Sequence, residues 1–274
     1  MASARELITW AEQQLESVVA DPGMDALILL SEITGLSRTH VLFRDSIDSE
    51  EEVQFRAFIE RRRAHEPIQY ITGRAYFRNL ALEVGPGVLI PRPESESLVS
   101  ALIARIEGVD QPKVLDLGAG SGALSIAIAT ERRDSQVTAV EKDDAALLWL
   151  RRNVQALEVE INIVHTDVAD FDGGGQFDAV IANPPYIPNG QALPLEVAEF
   201  EPHQALFGGS TGVELPRLFI ETAERALKSG GYLVVEHHEE HGAQVCELLA
   251  KSFVDITLHY DFNDRPRWSS GVRR

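Results

Sequence analysis

Apolar residues recur at helical spacing through the start of the chain. Leu7, Ile8, Ala11, Leu15, Val18 and Val19 share one face before Asp21-Pro22-Gly23 ends the run. ALILLSEI, 26–33, predicts a second helix stopped by Gly35, and Ser49 with Glu52 reads as a capping box ahead of Val53, Phe55, Phe58 and Ile59. From Tyr76 the pattern changes: Phe77, Leu80, Leu82, Val84, Val88 and Leu89, interrupted by Gly85-Pro86-Gly87, predict a hairpin. The prolines of IPRPESE, 90–96, then mark a linker, with Glu94 and Glu96 close to a helix start.

After the linker, short apolar runs alternate with helical ones. VLDL (114–117), VTAVE (137–141), INIVHTD (161–167), FDAVIA (177–182) and GYLVVE (231–236) read as five strands. Helices are expected from Ala123, over Ala145–Leu157 and over Pro216–Leu227, and FVDITLHYD with PRWSSGVR forms an antiparallel finish. This alternation predicts an α/β fold with a doubly wound, mostly parallel sheet. Three parts are expected: helices over 1–75, a β-hairpin linker over 76–92 and the sheet domain over 93–274.

Two loops carry candidate chemistry. Asp116-Leu117-Gly118-Ala119-Gly120-Ser121-Gly122 leaves the first of these strands and opens a helix, where glycines let backbone approach a ligand. With Ala123 it also fits the dinucleotide pattern G-x-G-x-x-G/A, and Glu141, ending the second strand, can take both hydroxyls of a ribose in either case. Asp116 favours S-adenosylmethionine (SAM): a carboxylate there opposes a pyrophosphate and suits an ammonium and a sulfonium.

The second loop is Asn183-Pro184-Pro185-Tyr186, closing the fourth strand. Two prolines stop the strand and stiffen the turn. The Asn183 side-chain oxygen and the Pro184 carbonyl can accept from a planar NH2 and orient its nitrogen, while Tyr186 stacks on the flat group. In the methyltransferase version of such sheets the first and fourth strands adjoin where the winding reverses, so the loops should face one crevice.

At 274 residues with 44% hydrophobic content the chain supports real cores, and its single cysteine, Cys246, excludes an internal disulfide framework. Glu6 and Glu12 interrupt the start where a signal peptide needs an apolar run, and no run approaches a membrane span, so a cytoplasmic location is expected. With 43 acidic against 25 basic residues the net charge is −18. Such a surface repels phosphate backbones and suits a cationic cofactor or a basic protein.

At these residues the chain resembles the bacterial HemK/PrmC family, the peptide chain release factor glutamine N5-methyltransferases. The resemblance spans nearly the whole sequence: EPIQYITGRAYF (66–77), VLIPRPESESLV (88–99), DLGAGSGALSIAIA (116–129), FDAVIANPPYIP (177–188) and EPHQALFGGSTGVE (201–214). It implies a Rossmann-like SAM-dependent methyltransferase fold with a seven-stranded sheet, acting on the glutamine of a release factor's Gly-Gly-Gln loop. By likeness Asp116 and Gly118 to Gly122 meet SAM, Glu141 its ribose, Val168 its adenine edge, and Asn183 both methionine and substrate. Asn183, Pro184, Pro185 and Tyr186 hold the glutamine amide, and Arg92 and Glu94 shape the entrance. The helical domain docks the release factor; no metal, nucleic acid or membrane partner is implied, and a monomer is the default.

The chain departs from the family pattern in three places: Glu141 for aspartate, Val168 for a more common aromatic, and Glu236-His237-His238 for Glu-Ile-Gly. His237, Glu240 and His241 match H-x-x-E-H spacing, but they follow a strand where zinc ligands need a helix, so a solvated polar loop is expected. Two rivals remain: an adenine methyltransferase, which lacks a basic target-recognition segment beyond Arg61-Arg62-Arg63, and a SAM-binding module without turnover.

Overall fold

The computed structural model describes residues 2–261 and 263–274. The chain forms two compact units: residues up to Arg74 with Leu193–Phe200, and Ala75–Ala192 with Glu201–Arg274. The first is built from α1 (Ala4–Leu15), α2 (Pro22–Thr34), α3 (Arg38–Val41), α4 (Ser49–Arg63) and α5 (Ile68–Thr72). Ser3 and Glu6 start α1 by accepting from each other's backbone N–H, at 3.3 Å to Ser3 Oγ and 2.8 Å to Glu6 Oε2. Asp21 caps α2 from Met24 N–H at 3.0 Å, and Pro22 occupies its first turn, where an N–H is dispensable. Gly35 closes the helix at φ 64°.

α4 starts one residue before the Ser49–Glu52 box predicts. Asp48 is its cap, and the Asp48 N–H donates to Glu51 Oε2 at 3.1 Å. Asp48 and Glu51 have the same spacing as the predicted pair, and their use releases Glu52 to bind Arg56 at 2.8 Å. Leu7, Leu15, Leu29, Leu30, Phe55 and Ile59 fill the helical core. At its edge Arg62, only 7% exposed, donates to Asp25 Oδ2 at 2.7 Å and to Glu196 Oε2 at 2.9 Å. Arg62→Ala should cost about 2 kcal/mol in denaturant unfolding, below the ~3–5 of a fully buried pair because the acids keep some solvent. An unchanged midpoint would show that the clasp adds nothing.

Strands β1 (Arg74–Phe77) and β2 (Leu80–Glu83) form the hairpin. It bends at Arg78-Asn79, not at Gly85-Pro86-Gly87 as the pattern suggested. Arg78 accepts φ 52° because Glu96 Oε1 takes its backbone N–H at 2.7 Å and Glu131 holds its guanidinium at 2.7 Å. Gly85-Pro86-Gly87 instead passes under an indole: the Trp149 N–H donates to the Pro86 carbonyl at 3.2 Å, and a Cβ on Gly85 would lie 2.5 Å from that ring.

The second unit continues through α6 (Glu96–Arg105), β3 (Lys113–Leu117), α7 (Ala123–Glu131), β4 (Gln136–Glu141), α8 (Asp144–Ala156) and β5 (Ile161–His165). Then come β6 (Phe177–Ala182), β7 (Ile187–Pro188), α9 (Leu195–Phe200, part of the first unit) and β8 (Phe207–Gly209). The chain closes with α10 (Glu214–Ala226), β9 (Leu227–Glu236), α11 (Gly242–Leu249), β10 (Phe253–Tyr260) and β11 (Pro266–Arg273).

Seven strands form one sheet in the order β10-β11-β9-β6-β3-β4-β5, parallel from β9 to β5, with β10 and β11 antiparallel. Both faces are covered, which is why its strands are near-continuous apolar runs. Val114, Ile126, Ile181 and Val234 pack on one face, and Leu115, Val180, Phe219 and Val235 on the other.

The HHEEH stretch is solvated only in part, chiefly at Glu240. β9 keeps pairing with β11 through Glu236 and Trp268, so His237 is carried into the packed edge and fully buried. Its Nε2 meets Ser269 Oγ at 2.9 Å, and burial lowers its pKa to about 4. His241 is also buried. Among the described residues no helix is long and apolar enough to cross a membrane.

Candidate active site

β3 and β6 are parallel neighbours, with Leu117 beside Ala182. The winding reverses between them: β4 and β5 extend one side of the sheet, β9, β11 and β10 the other. The glycine loop therefore leaves one strand beside the exit of Asn183-Pro184-Pro185-Tyr186 from the other, the position where open α/β sheets bind ligands. A cleft of about 290 Å³ opens there. Of the expected residues, Gly118, Ala119, Gly120 and Ser121 line it from the first loop, Glu141 and Val168 from the next two strand ends, and Asn183, Pro185 and Arg92 from the acceptor side.

The glycines do different work. Gly122, at φ 87°, backs onto α8: a Cβ there would come within 2.6 Å of Leu150. Gly120, at φ 57°, lines the cleft and has nothing within 4 Å of the position a Cβ would take. A side chain at 120 would therefore extend into ligand space. Glu141 steadies this loop. Its Oε2 accepts from Gly120 N–H at 2.8 Å, and its Oε1 accepts from Lys142 and Asp143 N–H at 2.8 and 2.9 Å. A carboxylate offers about four acceptor sites. Three are occupied by backbone, so gripping both hydroxyls of a ribose requires sharing them.

Asp116 is completely buried, on the sheet face covered by α7. Its Oδ2 accepts from Ser125 N–H at 3.0 Å, while Oδ1 has no partner among the described residues. Burial raises its pKa to about 7, and nearby Glu141 adds to the rise. An unsatisfied carboxylate oxygen behind a glycine loop is a poor neighbour for phosphate and a good one for a cation. The donor set thus fits SAM better than a dinucleotide.

On the acceptor side Asn183 Nδ2 donates to Ser95 Oγ at 3.2 Å, and Ser95 Oγ donates to Glu236 Oε2. Tyr186 donates its hydroxyl to Glu236 Oε1 at 3.1 Å, and its ring packs edge-on against His238. Burial holds the Tyr186 phenol well above its ordinary pKa, with Glu236 adding to the effect. Pro184 is buried behind the loop. Arg92 Nη2 donates to the buried Glu201 at 2.6 Å, and the same carboxylate accepts from Ile90 N–H at 3.1 Å, fixing the PRPE segment. Glu94 is exposed; its charge is felt by Glu236.

β8 and the turn after it press against the acceptor loop. A Cβ on Gly208 would lie 2.4 Å from the Pro185 carbonyl oxygen, and one on Gly212 would lie 2.4 Å from that of Tyr186. Sequence reasoning missed this backing, and also Ser95, Glu201 and Glu236. Ser95 and Glu236 stand 141 positions apart, and only the sheet brings them together. Asp167, paired with Lys142 at 3.1 Å on the cleft wall, was missed as well; its signal was the acid closing the predicted third strand.

Comparison with known proteins extends these observations. The PrmC N-terminal domain family matches residues 6–73, and the methyltransferase small domain family matches 93–200. A release factor glutamine methyltransferase of Streptomyces coelicolor is 38% identical over 96% of this chain and 95% of its own. The chain belongs to the release factor glutamine methyltransferase family. The Escherichia coli member is 35% identical over 96% of this chain and 97% of its own, and that of Mycolicibacterium smegmatis 38% over 93% and 92%. Among solved structures, the T. thermophilus 16S rRNA N2 G1207 methyltransferase in complex with AdoMet and guanosine shares the fold, with a TM-score of 0.55 and 24% identity over 73% of this chain and 50% of that one. The family is one of SAM-dependent enzymes, as the two loops led us to expect.

Proposed function

We propose that this protein transfers the methyl group of SAM to the side-chain amide nitrogen of the glutamine in the Gly-Gly-Gln loop of a bacterial release factor. The observation that carries this is the adjacency of the glycine loop and Asn183-Pro184-Pro185-Tyr186 on neighbouring parallel strands, around one cleft. The names of relatives aligned over the whole chain favour glutamine over adenine as acceptor. The net charge of −18 suits a basic protein partner better than nucleic acid. The helical residues 1–75 dock the release factor, the hairpin over 76–92 links them to the catalytic domain 93–274, and the enzyme works as a cytoplasmic monomer.

SAM, when bound, supplies an electrophilic methyl group on a sulfonium. Gly118 to Gly122, Glu141, Val168 and Asn183 would hold it, with Gly122 shaping the loop from behind, and Asp116, buried behind the same loop, would balance its positive charge. An amide nitrogen is a weak nucleophile because its lone pair is delocalised. Asn183 Oδ1 and the Pro184 carbonyl accept from that NH2, favour the geometry in which the lone pair is released, and fix its direction. Tyr186 and Pro185 confine the flat amide, and Arg92 and Glu94 border its entry. The deciding experiment incubates the protein with SAM and purified release factor and maps the Gly-Gly-Gln peptide by mass spectrometry. An unmodified glutamine with a folded, SAM-binding protein would refute the assignment.

The proposed role of Asp116 predicts a pH dependence. The free carboxyl titrates near 7, above its unfolded value, and a cationic ligand pulls that pKa down. SAM affinity should therefore weaken as pH falls below 7, and binding near pH 6 should release protons. Asp116→Asn should bind about tenfold more weakly at pH 8 and lose the dependence. Calorimetry in buffers of different ionisation enthalpy checks both. A wild-type affinity that is flat from pH 5.5 to 8 would remove Asp116 from cation binding.

A further inference from the structure

Asn183 can serve the acceptor only if the right end of its side-chain amide faces the cleft. Its two ends are nearly the same size but opposite in chemistry: Oδ1 accepts, Nδ2 donates. The donating end is engaged with Ser95 Oγ at 3.2 Å, and Oδ1 has no protein partner among the described residues. What fixes this choice lies further back. Ser95 is 3% exposed and Glu236 1%, so neither can satisfy itself with bulk water. An ionised carboxylate only accepts, so the single Ser95 proton is committed to Glu236 Oε2. Ser95 Oγ is left able only to accept, and the Asn183 NH2 must turn to it. Tyr186 donates to the other carboxylate oxygen at 3.1 Å, so Glu236 ties both polar side chains of the acceptor loop into one directed chain.

We propose that Glu236, acting through Ser95, is a positioning residue that sets the orientation of the Asn183 amide and so presents Oδ1 to the methyl acceptor. The inference rests on the assignment of Asn183 as the group that holds the acceptor NH2. Ser95 lines the cleft wall and Glu236 is buried behind it, and both act through Asn183.

The chain has a defined polarity, and one proton reverses it. A protonated Glu236 becomes a donor to Ser95 Oγ, the Ser95 hydroxyl then donates to Asn183, and the amide turns its NH2 into the cleft, where it faces another NH2. The groups around Glu236 place this reversal in an accessible range. Burial, and to a lesser degree Glu94 on the turn before α6, favour the proton; Ser95, Tyr186 and Arg267 of β11 favour the anion, the last while paired with Asp261 at 3.0 Å. Arg92 lies close enough to act on Tyr186, whose ring also meets His238. His237, next along the chain, is buried with a pKa of about 4 and brings no positive charge at neutrality. The balance leaves Glu236 near 7.

The test uses the full chain, release factor and saturating SAM, so that titration of the SAM site drops out and kcat alone is followed from pH 5.5 to 9. Wild-type kcat should fall as pH drops through about 7. Ser95→Ala should lower kcat at pH 8 about tenfold, leave SAM affinity within about twofold and abolish the acid limb, since Glu236 no longer reaches Asn183. Ser95→Thr, which keeps the hydroxyl, should restore both rate and limb. Glu236→Gln, which cannot gain a proton, should show reduced kcat and no limb. Should Ser95→Ala melt below the assay temperature, Glu236→Gln decides alone. An acid limb that persists in Glu236→Gln, or kcat unchanged in both variants, overturns the proposal, as does reduced kcat with an intact limb in Ser95→Ala. Absence of glutamine methylation by the wild type would instead refute the function, before any variant is compared.

Discussion

Asn183→Ala is expected to lower kcat for glutamine methylation by about a hundredfold to a thousandfold, the usual range for removing one preorganised polar group from a reaction centre. The substitution deletes the amide acceptor of the loop and leaves the Pro184 carbonyl to orient the NH2. The fold should survive. Asn183 is half-buried at a strand end, its one side-chain hydrogen bond among the described residues is to Ser95, and Ala182 before it keeps its place beside Leu117. Single-turnover kinetics with release factor, set beside SAM binding and thermal melting, separates the outcomes. A drop in kcat far larger than any accompanying loss of SAM affinity fits the assigned role. Near-wild-type turnover would mean that the amide does not hold the acceptor.

Gly208→Ala should be nearly as damaging from outside the cleft. Gly208 does not need glycine for its backbone angles, because its φ is not positive. What it needs is space. An added Cβ would stand 2.4 Å from the Pro185 carbonyl oxygen, 2.8 Å from the Tyr186 Cα and 2.9 Å from the Gly212 carbonyl oxygen. All three obstacles are backbone, so no side chain can swing aside, and relief requires β8 and the acceptor loop to separate by more than half an ångström. A shift of about 1 Å at a reacting group can cost a hundredfold in rate. Stability should fall by about 1–3 kcal/mol, the range for overpacking. Denaturant unfolding and kcat measured on one preparation check both effects. Activity within twofold of wild type would show that the loop tolerates displacement and that its close fit is not part of the reaction centre.

Much of the architecture was legible in the chain because parallel strands buried on both faces must be continuous apolar runs. VLDL, VTAVE and FDAVIA could hardly be read otherwise, and the loops that follow them announce themselves through glycine and proline. Errors arose where two local solutions fit the same residues. Asp48–Glu51 and Ser49–Glu52 have equal spacing, and the choice between them turned on Glu52 pairing with Arg56. The hairpin bend moved to Arg78-Asn79 because Glu96 and Glu131, remote in sequence, hold Arg78 in a left-handed conformation. HHEEH looked solvated by composition, yet pairing of β9 with β11 drew His237 inside.

By itself the sequence determined the strand–helix alternation, the two loops and the kind of chemistry each could support, since these depend on residue type and short spacing. Tertiary structure alone decided that Asp116 keeps an unsatisfied oxygen, that Glu141 spends its lone pairs on backbone, and that Glu236 reaches Asn183 through Ser95. Each depends on groups far apart along the chain meeting where water is excluded, and there the surroundings, not the residue type, fix which atoms carry charge and which way each hydrogen bond points.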